Sequence, residues 1–398
     1  MKPFKLYENI FWAGALHPDL KVFDIIMKTK NGTTYNSYLI LDDKVAVIDT
    51  VKGKFSQSYL EHISNLVDPK QIDYIIMQHN EPDHSGSLKT LLKEASNAQI
   101  VCSRSAVKYV KNIINQETSI KPVSNGDVLD LGKYKPEFYT APYCHWPDTM
   151  MTYFPEIRLL FSSDLLASHF CDSRMVDQEI DREFWPDFRE YFQHIMRPYK
   201  KNVRNVLAKI DQINVEAIAP SHGPVLRENV AKYIDAYREW SQVRPANSPP
   251  QAVIYFVTAH GNTEHMAGYI ADGLKAKGIE VQVFDATELD VNDHLDRIEN
   301  ADAVLFGSPT MNNDAAKPVW DVMNSLVTLD VKGKIGASFG SYAWSGEAVK
   351  QLDERLRALK FNVPLEGIKA VLVPSEEEKQ ACLLFGDRIA EILLNVSS

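Results

Sequence analysis

The sequence predicts an α/β protein of two domains: a first half that opens with strands and then alternates helices with strands, and a second half built as a doubly wound parallel sheet of five strands. Three observations carry this. A proline-rich break, Val243-Arg244-Pro245-Ala246-Asn247-Ser248-Pro249-Pro250, ends the helical pattern from Val230 to Gln242, because proline lacks the N–H that a helix needs. Beyond the break, short apolar runs rich in β-branched residues alternate with amphipathic stretches of helical period. Before it, the first 80 residues are mostly strand-like. A chain of 398 residues is long for one core, and with 45% hydrophobic and 24% charged residues it has enough apolar mass for two. The expected domains are 1–245 and 250–398, joined by a short, semi-rigid linker.

Taken in order, the first half presents strand patterns at Val22–Met27, Tyr35–Leu41 and Val45–Asp49, then a strand at Ile72–Met77. Ser85 reads as the cap of a helix running to Lys93. The second half reads as strand Val253–Val257, helix 263–277, strand Val281–Phe284, strand Ala303–Phe306, helix 315–327, strand Ile335–Phe339, helix 345–359, strand Ala370–Val373 and a closing helix 376–394. There is no internal repeat and no low-complexity tract.

Composition excludes several classes of function. A formal net charge of −10 argues against a nucleic-acid or anionic-membrane partner. No apolar stretch approaches the roughly 18–20 residues of a membrane span, and the N-terminus mixes Lys2, Lys5 and Glu8 with apolar residues instead of forming a signal-peptide core. A cytoplasmic protein is expected. The four cysteines, Cys102, Cys144, Cys171 and Cys382, form no C-x-x-C pair, so neither a zinc ribbon nor a rubredoxin-type iron site is encoded.

The hexapeptide HNEPDH at 79–84 packs His79, Glu81, Asp83 and His84 into one strand-to-helix loop. Two imidazoles and two carboxylates that close together point to a metal site, and Pro82 stiffens the loop that aims them. His145 in APYCHWPD, Asp164 in LLFSSDLL and His222 in IAPSHGPV each follow a strand-like run and precede a turn or helix. That repeated placement brings all of them to one sheet edge. An isolated histidine is more often structural than a ligand, but three such positions in register with the hexapeptide favour a shared metal centre. His169 is a further candidate near the pocket, better suited to supporting a ligand than to being one.

In the second half, the expected strand Val253–Val257 runs into Thr258-Ala259-His260-Gly261-Asn262-Thr263-Glu264 and then a helix. Backbone N–H groups, hydroxyls and a helix N-terminus in that place suit a phosphate. Neither G-x-G-x-x-G nor G-x-x-x-x-G-K is present, which excludes a dinucleotide fingerprint and a Walker A loop. Two later strand ends carry Gly307-Ser308-Pro309-Thr310-Met311-Asn312-Asn313 and Gly340-Ser341-Tyr342-Ala343-Trp344-Ser345-Gly346. The first offers hydrogen bonds to the edge of a flat heterocycle; the second offers Tyr342 and Trp344 to stack on it.

The order H-x-E-x-D-H followed by distant His, Asp and His resembles the metallo-β-lactamase fold, and Glu81, where zinc hydrolases of that fold usually carry His, points to the flavodiiron proteins. A carboxylate in place of an imidazole makes the site harder and more anionic, which suits iron better than zinc. The Thr258–Glu264 loop resembles the phosphate loop of flavodoxins. Together the resemblance covers nearly the whole chain: a metallo-β-lactamase-like αββα sandwich followed by a flavodoxin-like domain.

The resemblance implies a site and a reaction. It assigns His79, Glu81 and His145 to one iron, Asp83, His84 and His222 to a second, and Asp164 as the bridging carboxylate of a non-heme diiron centre, oxo- or hydroxo-bridged in some states. It implies FMN held by Thr258, His260, Gly261, Asn262 and Thr263 at the phosphate, and by Ser308, Pro309, Thr310, Met311 and Asn312 with Ser341, Tyr342, Ala343, Trp344, Ser345 and Gly346 at the ring. The implied activity is reduction of O2 to water, of NO to N2O, or both. A ferrous pair and a reduced flavin each hold two electrons, which matches the four that O2 requires. No rubredoxin or flavin-reductase extension is expected, so electrons come from a separate donor such as rubredoxin or reduced F420. A head-to-tail homodimer, or a dimer of such dimers, is implied, with the FMN of one chain against the diiron centre of the other. Two rivals are a dinuclear zinc hydrolase with a regulatory flavodoxin-like domain, and an electron-transfer flavoprotein with a degenerate metal site.

Overall fold

The computed structural model describes residues 2–24, 27–243 and 245–396. Ile25 and Ile26 of the expected strand Val22–Met27, and Arg244 of the expected linker, lie outside the described residues. The chain divides into two compact units, Met1–Gln242 and Val243–Ser398.

Among the described residues of the first unit, two sheets pack face to face. One has seven strands in the order Phe4–Tyr7, Ile10–Trp12, Tyr38–Ile40, Val45–Ile48, Ile72–Met77, Gln99–Ser103 and Ile120–Val123. Pairing is antiparallel up to Val45–Ile48 and parallel from there on. The other has four strands, Glu137–Thr140, Met150–Phe154, Leu159–Ser163 and Ala217–Pro220, of which only the last pair is parallel. Both faces of each sheet are buried, so the parallel strands read as near-continuous apolar runs.

Between the sheets lies a core of Trp12, Tyr38, Ile48, Ile76 and Val101 from one side and Phe138, Phe154, Leu159 and Phe161 from the other. The outer faces are covered by helices through residues such as Tyr59, Leu91 and Val110 on the first sheet and Val203, Leu207 and Tyr237 on the second. This is the expected αββα sandwich. Burying each Leu, Ile or Phe contributes about 1.5–3 kcal/mol.

Several local expectations are corrected. The expected helix from Ser85 to Lys93 is two elements, a turn Pro82–Ser85 and a helix Leu88–Glu94. Pro82, pre-set for the first helical position, starts the turn earlier than the sequence pattern indicated. Ser85 ends that turn and caps nothing ahead; its Oγ donates back to the carbonyls of Asn80 and Glu81, both at 3.0 Å. The expected strand Tyr35–Leu41 is broken into Thr33–Tyr35 and Tyr38–Ile40. Asn36 causes the break, donating through Nδ2 to the carbonyls of Pro220 and Gly223. The expected Val22–Met27 is a ribbon of Val22–Phe23 paired with Met27–Lys28.

The second unit is a five-stranded, wholly parallel sheet in the order Glu280–Asp285, Gln251–Phe256, Ala303–Gly307, Ile335–Tyr342 and Ile368–Val371. Strand order reverses direction at Gln251–Phe256, so the carboxyl ends of this strand and of Ala303–Gly307 open a crevice where such folds bind ligands. Helices Asn262–Ala276 and Glu376–Val396 cover one face through Ile270, Leu274, Phe385 and Ile389. Helices Leu295–Asn300, Lys317–Ser325 and Glu347–Ala358 cover the other through Ile298, Val322 and Leu352. The short helix Leu295–Asn300 and the two-residue pairing of Thr310–Met311 with Asp314–Ala315 had no clear sequence signal. The strand expected at Ile335–Phe339 extends to Tyr342, which places Ser341 and Tyr342 on its end and not in the following loop.

Candidate functional site

Five segments at the carboxyl end of the sandwich supply the predicted ligands. His79 and Glu81 leave the strand Ile72–Met77, Asp83 and His84 lie in the turn Pro82–Ser85, and His145 comes from the loop between Glu137–Thr140 and Met150–Phe154. Asp164 directly follows Leu159–Ser163, and His222 follows Ala217–Pro220. All seven converge. His79, Glu81, His145 and Asp164 offer ligand atoms within 4.8 Å of one another, and so do Asp83, His84 and His222.

Asp164 joins the two groups. Its Oδ2 lies 3.2 Å from His79 Nε2 and 3.1 Å from His145 Nε2, and its Oδ1 lies 3.4 Å from His84 Nε2 and 3.7 Å from His222 Nε2. Glu81 Oε2 closes the first group, 3.1 Å from His145 Nε2, and Asp83 closes the second, 3.3 Å from His84 and 3.2 Å from His222.

These residues fit metal ions. A first-row divalent ion bound at about 2.1 Å sets neighbouring donors about 3 Å apart, close to the spacing seen. The Nε2 atoms of His79 and His84, both Oδ atoms of Asp83 and Oδ1 of Asp164 are buried without a hydrogen-bond partner. Leaving so many polar atoms unmatched is costly unless a cation satisfies them together.

The remaining imidazole nitrogens are oriented by their surroundings. His222 Nδ1 faces the carbonyl of Thr34 at 2.6 Å; a carbonyl only accepts, so Nδ1 carries the proton and Nε2 presents its lone pair. His79 Nδ1 pairs with Ser163 Oγ at 3.0 Å. Ser163 holds a left-handed backbone, φ 56°, which turns the chain so that the serine faces His79 while Asp164 enters the site. After His222, Gly223 has φ 78°, and a Cβ there would collide with Ser168.

Electrostatics reinforces this picture. Burial is the largest influence on His79, His145 and His222 and opposes their protonation, yet the facing carboxylates outweigh it: Asp164 and Glu81 hold His145 up to about 9, and His79 and His222 are also raised. Burial likewise pushes Asp164 upward, but His79, His84 and His145 draw it well below the usual carboxylate range. Without a metal, the facing carboxylates favour protons on these imidazoles, where a cation would otherwise stand.

His169 is buried among Phe23, Tyr191 and His222, with Nδ1 3.0 Å from Thr33 Oγ1, and belongs to neither ligand group. Sequence reasoning missed the polar residues behind the ligands. Asp49 Oδ1 accepts the N–H of Gln78 at 2.7 Å, and Asp148 Oδ2 accepts from Asn80. Asp148 had a faint signal, lying three residues beyond His145 in the same loop; Asp49 had none beyond closing a strand.

In the second unit, a cleft of about 570 Å³ opens at the predicted strand ends. Thr258 lines it together with Pro309, Met311 and Asn312, all of them predicted, and Lys317, which was not. Gly261 takes φ 82° just before the helix Asn262–Ala276, and nothing within 4 Å would meet a Cβ there, so the helix N-terminus stands open to a ligand. Thr263 Oγ1 and Ser341 Oγ, both buried, pair at 2.9 Å and tie the first predicted loop to the third. Trp344 is 78% exposed, and Ala343 and His260 are also exposed. Ser308 is fully buried, its hydroxyl used within its own turn by Pro309 and Ala316. Thr310 Oγ1 is engaged too, accepting the N–H of Ala348 at the start of the helix Glu347–Ala358.

Fold and site together define a metallo-β-lactamase-like domain with two adjoining groups of residues able to hold a metal, followed by a flavodoxin-like domain. Comparison with known proteins agrees. Residues 33–223 match the ODP family of beta lactamases and residues 254–386 match the flavodoxin family. The chain is 39% identical to the flavo-diiron protein FprA2 of Clostridium acetobutylicum, over 98% of its own length and 100% of that protein. It is 35% identical to the nitric oxide reductase of Moorella thermoacetica, over 98% of each. It superposes on the rubredoxin oxygen:oxidoreductase of Desulfovibrio gigas with a TM-score of 0.74 and 28% identity, covering 99% of both chains. The chain belongs to the flavo-diiron protein family.

Proposed function

We propose that this protein is a flavo-diiron oxidoreductase that reduces O2 to water, NO to N2O, or both, drawing electrons through FMN. The observation that carries the reading is the division of Asp164, whose two carboxylate oxygens each face a separate ligand group. His79, Glu81 and His145 would hold one iron, Asp83, His84 and His222 the other, with Asp164 shared between them. A carboxylate-rich set of this kind suits iron, and a pair of iron ions held there would supply electrons to a diatomic gas. The relatives named as a nitric oxide reductase and a rubredoxin oxygen:oxidoreductase support both gases as substrates. Glu81 disfavours the zinc-hydrolase alternative.

The chain's own residues do the positioning. Thr34 fixes the tautomer of His222, Ser163 orients His79, and Asp83 and Glu81 supply negative charge that would offset two cations. In the second domain, FMN would lie in the cleft at Thr258, Pro309, Met311 and Asn312, with its phosphate at the N-terminus of Asn262–Ala276. His260, Gly261, Asn262 and Thr263 complete the phosphate loop, and Tyr342 and Trp344 stand at the ring end. We further assign a head-to-tail homodimer, so that flavin and irons of different chains meet, and a separate donor such as rubredoxin or reduced F420. No described helix is long and apolar enough to cross a membrane. The four cysteines are free and buried, which supports the reducing cytoplasm as its location.

Metal analysis together with a visible spectrum tests the reading. Iron near two per chain with a flavin spectrum, and anaerobic stopped-flow oxidation of the reduced protein by either gas, are expected. Zinc without redox turnover, or flavin without metal, would overturn it.

A further inference from the structure

We propose that Asp148 is a positioning residue that sets the spacing of one metal group, His79, Glu81 and His145, while leaving the other group untouched. The inference rests on the reading of these residues as metal ligands. Asn80 lies between His79 and Glu81 in the chain, and both its backbone N–H and its side-chain Nδ2 donate to one oxygen of Asp148, Oδ2, at 3.1 and 2.8 Å. Asp148 is wholly buried and sits in the loop that carries His145, so this pair links the two segments that supply that group's own ligands.

Further bonds hold both ends of the link. The backbone carbonyl of Asp148 accepts Ser103 Oγ at 2.8 Å, at the end of the strand Gln99–Ser103, and Met150 N donates to Gln78 O at 2.8 Å. On the other side of His79, Gln78 N donates to Asp49 Oδ1. His79 is therefore flanked by two residues whose amides are fixed by buried carboxylates, and its ring has little freedom to leave the site. The second group has anchors of its own besides the Ser85 hydroxyl, which donates to the carbonyls of Asn80 and Glu81. The carbonyl of His84 accepts from Thr50 N and Oγ1, at 2.9 and 2.5 Å, and His222 is tied to Thr34.

Stability of the fold does not account for this carboxylate. Its Oδ1 has no hydrogen-bond partner among the described residues, and a buried carboxylate contributes less to a fold than a well-packed apolar residue of its size. Directional acceptance of two Asn80 donors is what an apolar residue cannot supply. Residues behind metal ligands typically change metal affinity about 10–100-fold when altered.

The test uses the full chain with its FMN, stripped of metal and titrated anaerobically with Fe(II) against a competing chelator. Asp148→Leu should weaken one Fe(II) site by about 10–100-fold and leave the other at its wild-type affinity. Asp148→Asn, which keeps an oxygen able to accept both donors, should bind both ions close to wild type. Adding His145→Ala to Asp148→Leu should weaken that same site further and spare the other, whereas adding His222→Ala should weaken the site that Asp148→Leu spares. Asp148→Leu leaves two buried Asn80 donors unpaired, so its metal-free form should melt somewhat lower, whereas the melting of Asp148→Asn by circular dichroism and the FMN content of both should match wild type. Two tight sites in Asp148→Leu, equal loss from both sites in step with a lower melting temperature, or no rescue by Asp148→Asn would each overturn the proposal. If Asp148→Leu does not fold, Asn80→Ala removes one donor and keeps the carboxylate. It should weaken the same single site, and unchanged binding there would count against the role of Asp148. A wild-type protein that takes up no Fe(II) would sink this proposal and the functional reading together, whereas two sites in wild type and in every variant would sink only this one.

Discussion

Asp164 Oδ2 lies 3.1 Å from His145 Nε2, with the opposite oxygen of the same carboxylate turned to His84 and His222. One side chain at a strand end thus faces both ligand groups. A bridging carboxylate can set the separation of two cations and screen their repulsion, and it does so only if each oxygen points to a different ion.

Replacing Asp164 by Ala should therefore disturb both groups at once. The variant is expected to hold less than one iron per chain and to lose gas reduction, read by metal analysis and by oxidation of the reduced protein. Retention of two irons with normal turnover would rule out the shared carboxylate. His145→Ala and His222→Ala should each weaken one iron and leave FMN bound.

Metal uptake should follow pH with a definite sign. His145 is held up to about 9 in the metal-free protein, so loading at neutral pH must displace a proton, and affinity should rise with pH until about 9. Calorimetry in buffers of different ionisation enthalpy measures the released protons; a heat independent of buffer would contradict this. Stability of the metal-free fold runs the other way. The raised His145 contributes fully below its ordinary value of 6.5, and its contribution is lost as pH climbs through about 9. Glu81 and Asp164 are depressed, so theirs is present above the ordinary carboxylate range and lost in acid. Melting temperature of the metal-free protein should peak in the weakly acidic range between.

Loss of FMN without loss of iron is expected when Asn262 and Thr263 are both changed to Ala. Neither Lys nor Arg lies in Thr258–Glu264, and Lys317, which lines the cleft, is paired with Asp321. A phosphate bound there would therefore depend on neutral donors and the helix N-terminus. Absorbance of the purified variant measures flavin content directly. An unchanged value would place the phosphate elsewhere.

Activity should require two chains. Mixing Asp164→Ala with the Asn262→Ala, Thr263→Ala variant should restore turnover up to half of wild type per heterodimer, because one interface joins an intact flavin to an intact metal site. A tag on one variant establishes subunit exchange. Heterodimers without turnover, alongside active monomers, would overturn the intersubunit route.

Much of this protein was determined by local sequence. Strand-to-helix order in the second domain follows from alternating apolar runs and amphipathic stretches, and both follow from periodicities that the backbone imposes on any sequence. The ligands were legible for a similar reason: HNEPDH concentrates four donors in one loop, and His145, Asp164 and His222 each stand just beyond a strand-like run. Where the pattern was interrupted, reading failed. Asn36 breaks a strand by bonding to Pro220 and Gly223, nearly two hundred residues away, and Pro82 starts a turn ahead of the expected cap at Ser85.

Tertiary structure alone decided how the donors are shared and held. Which oxygen of Asp164 meets which imidazole depends on the left-handed turn at Ser163 and on the register of Leu159–Ser163 against Ala217–Pro220, neither of which leaves a periodic trace. Asp49 and Asp148 show the same limit. Each is an ordinary acidic residue in the sequence, and each acquires its role only because folding buries it against an amide beside His79. Hydrogen bonds between distant segments are set by three-dimensional proximity, whereas propensity and period act within a few residues along the chain.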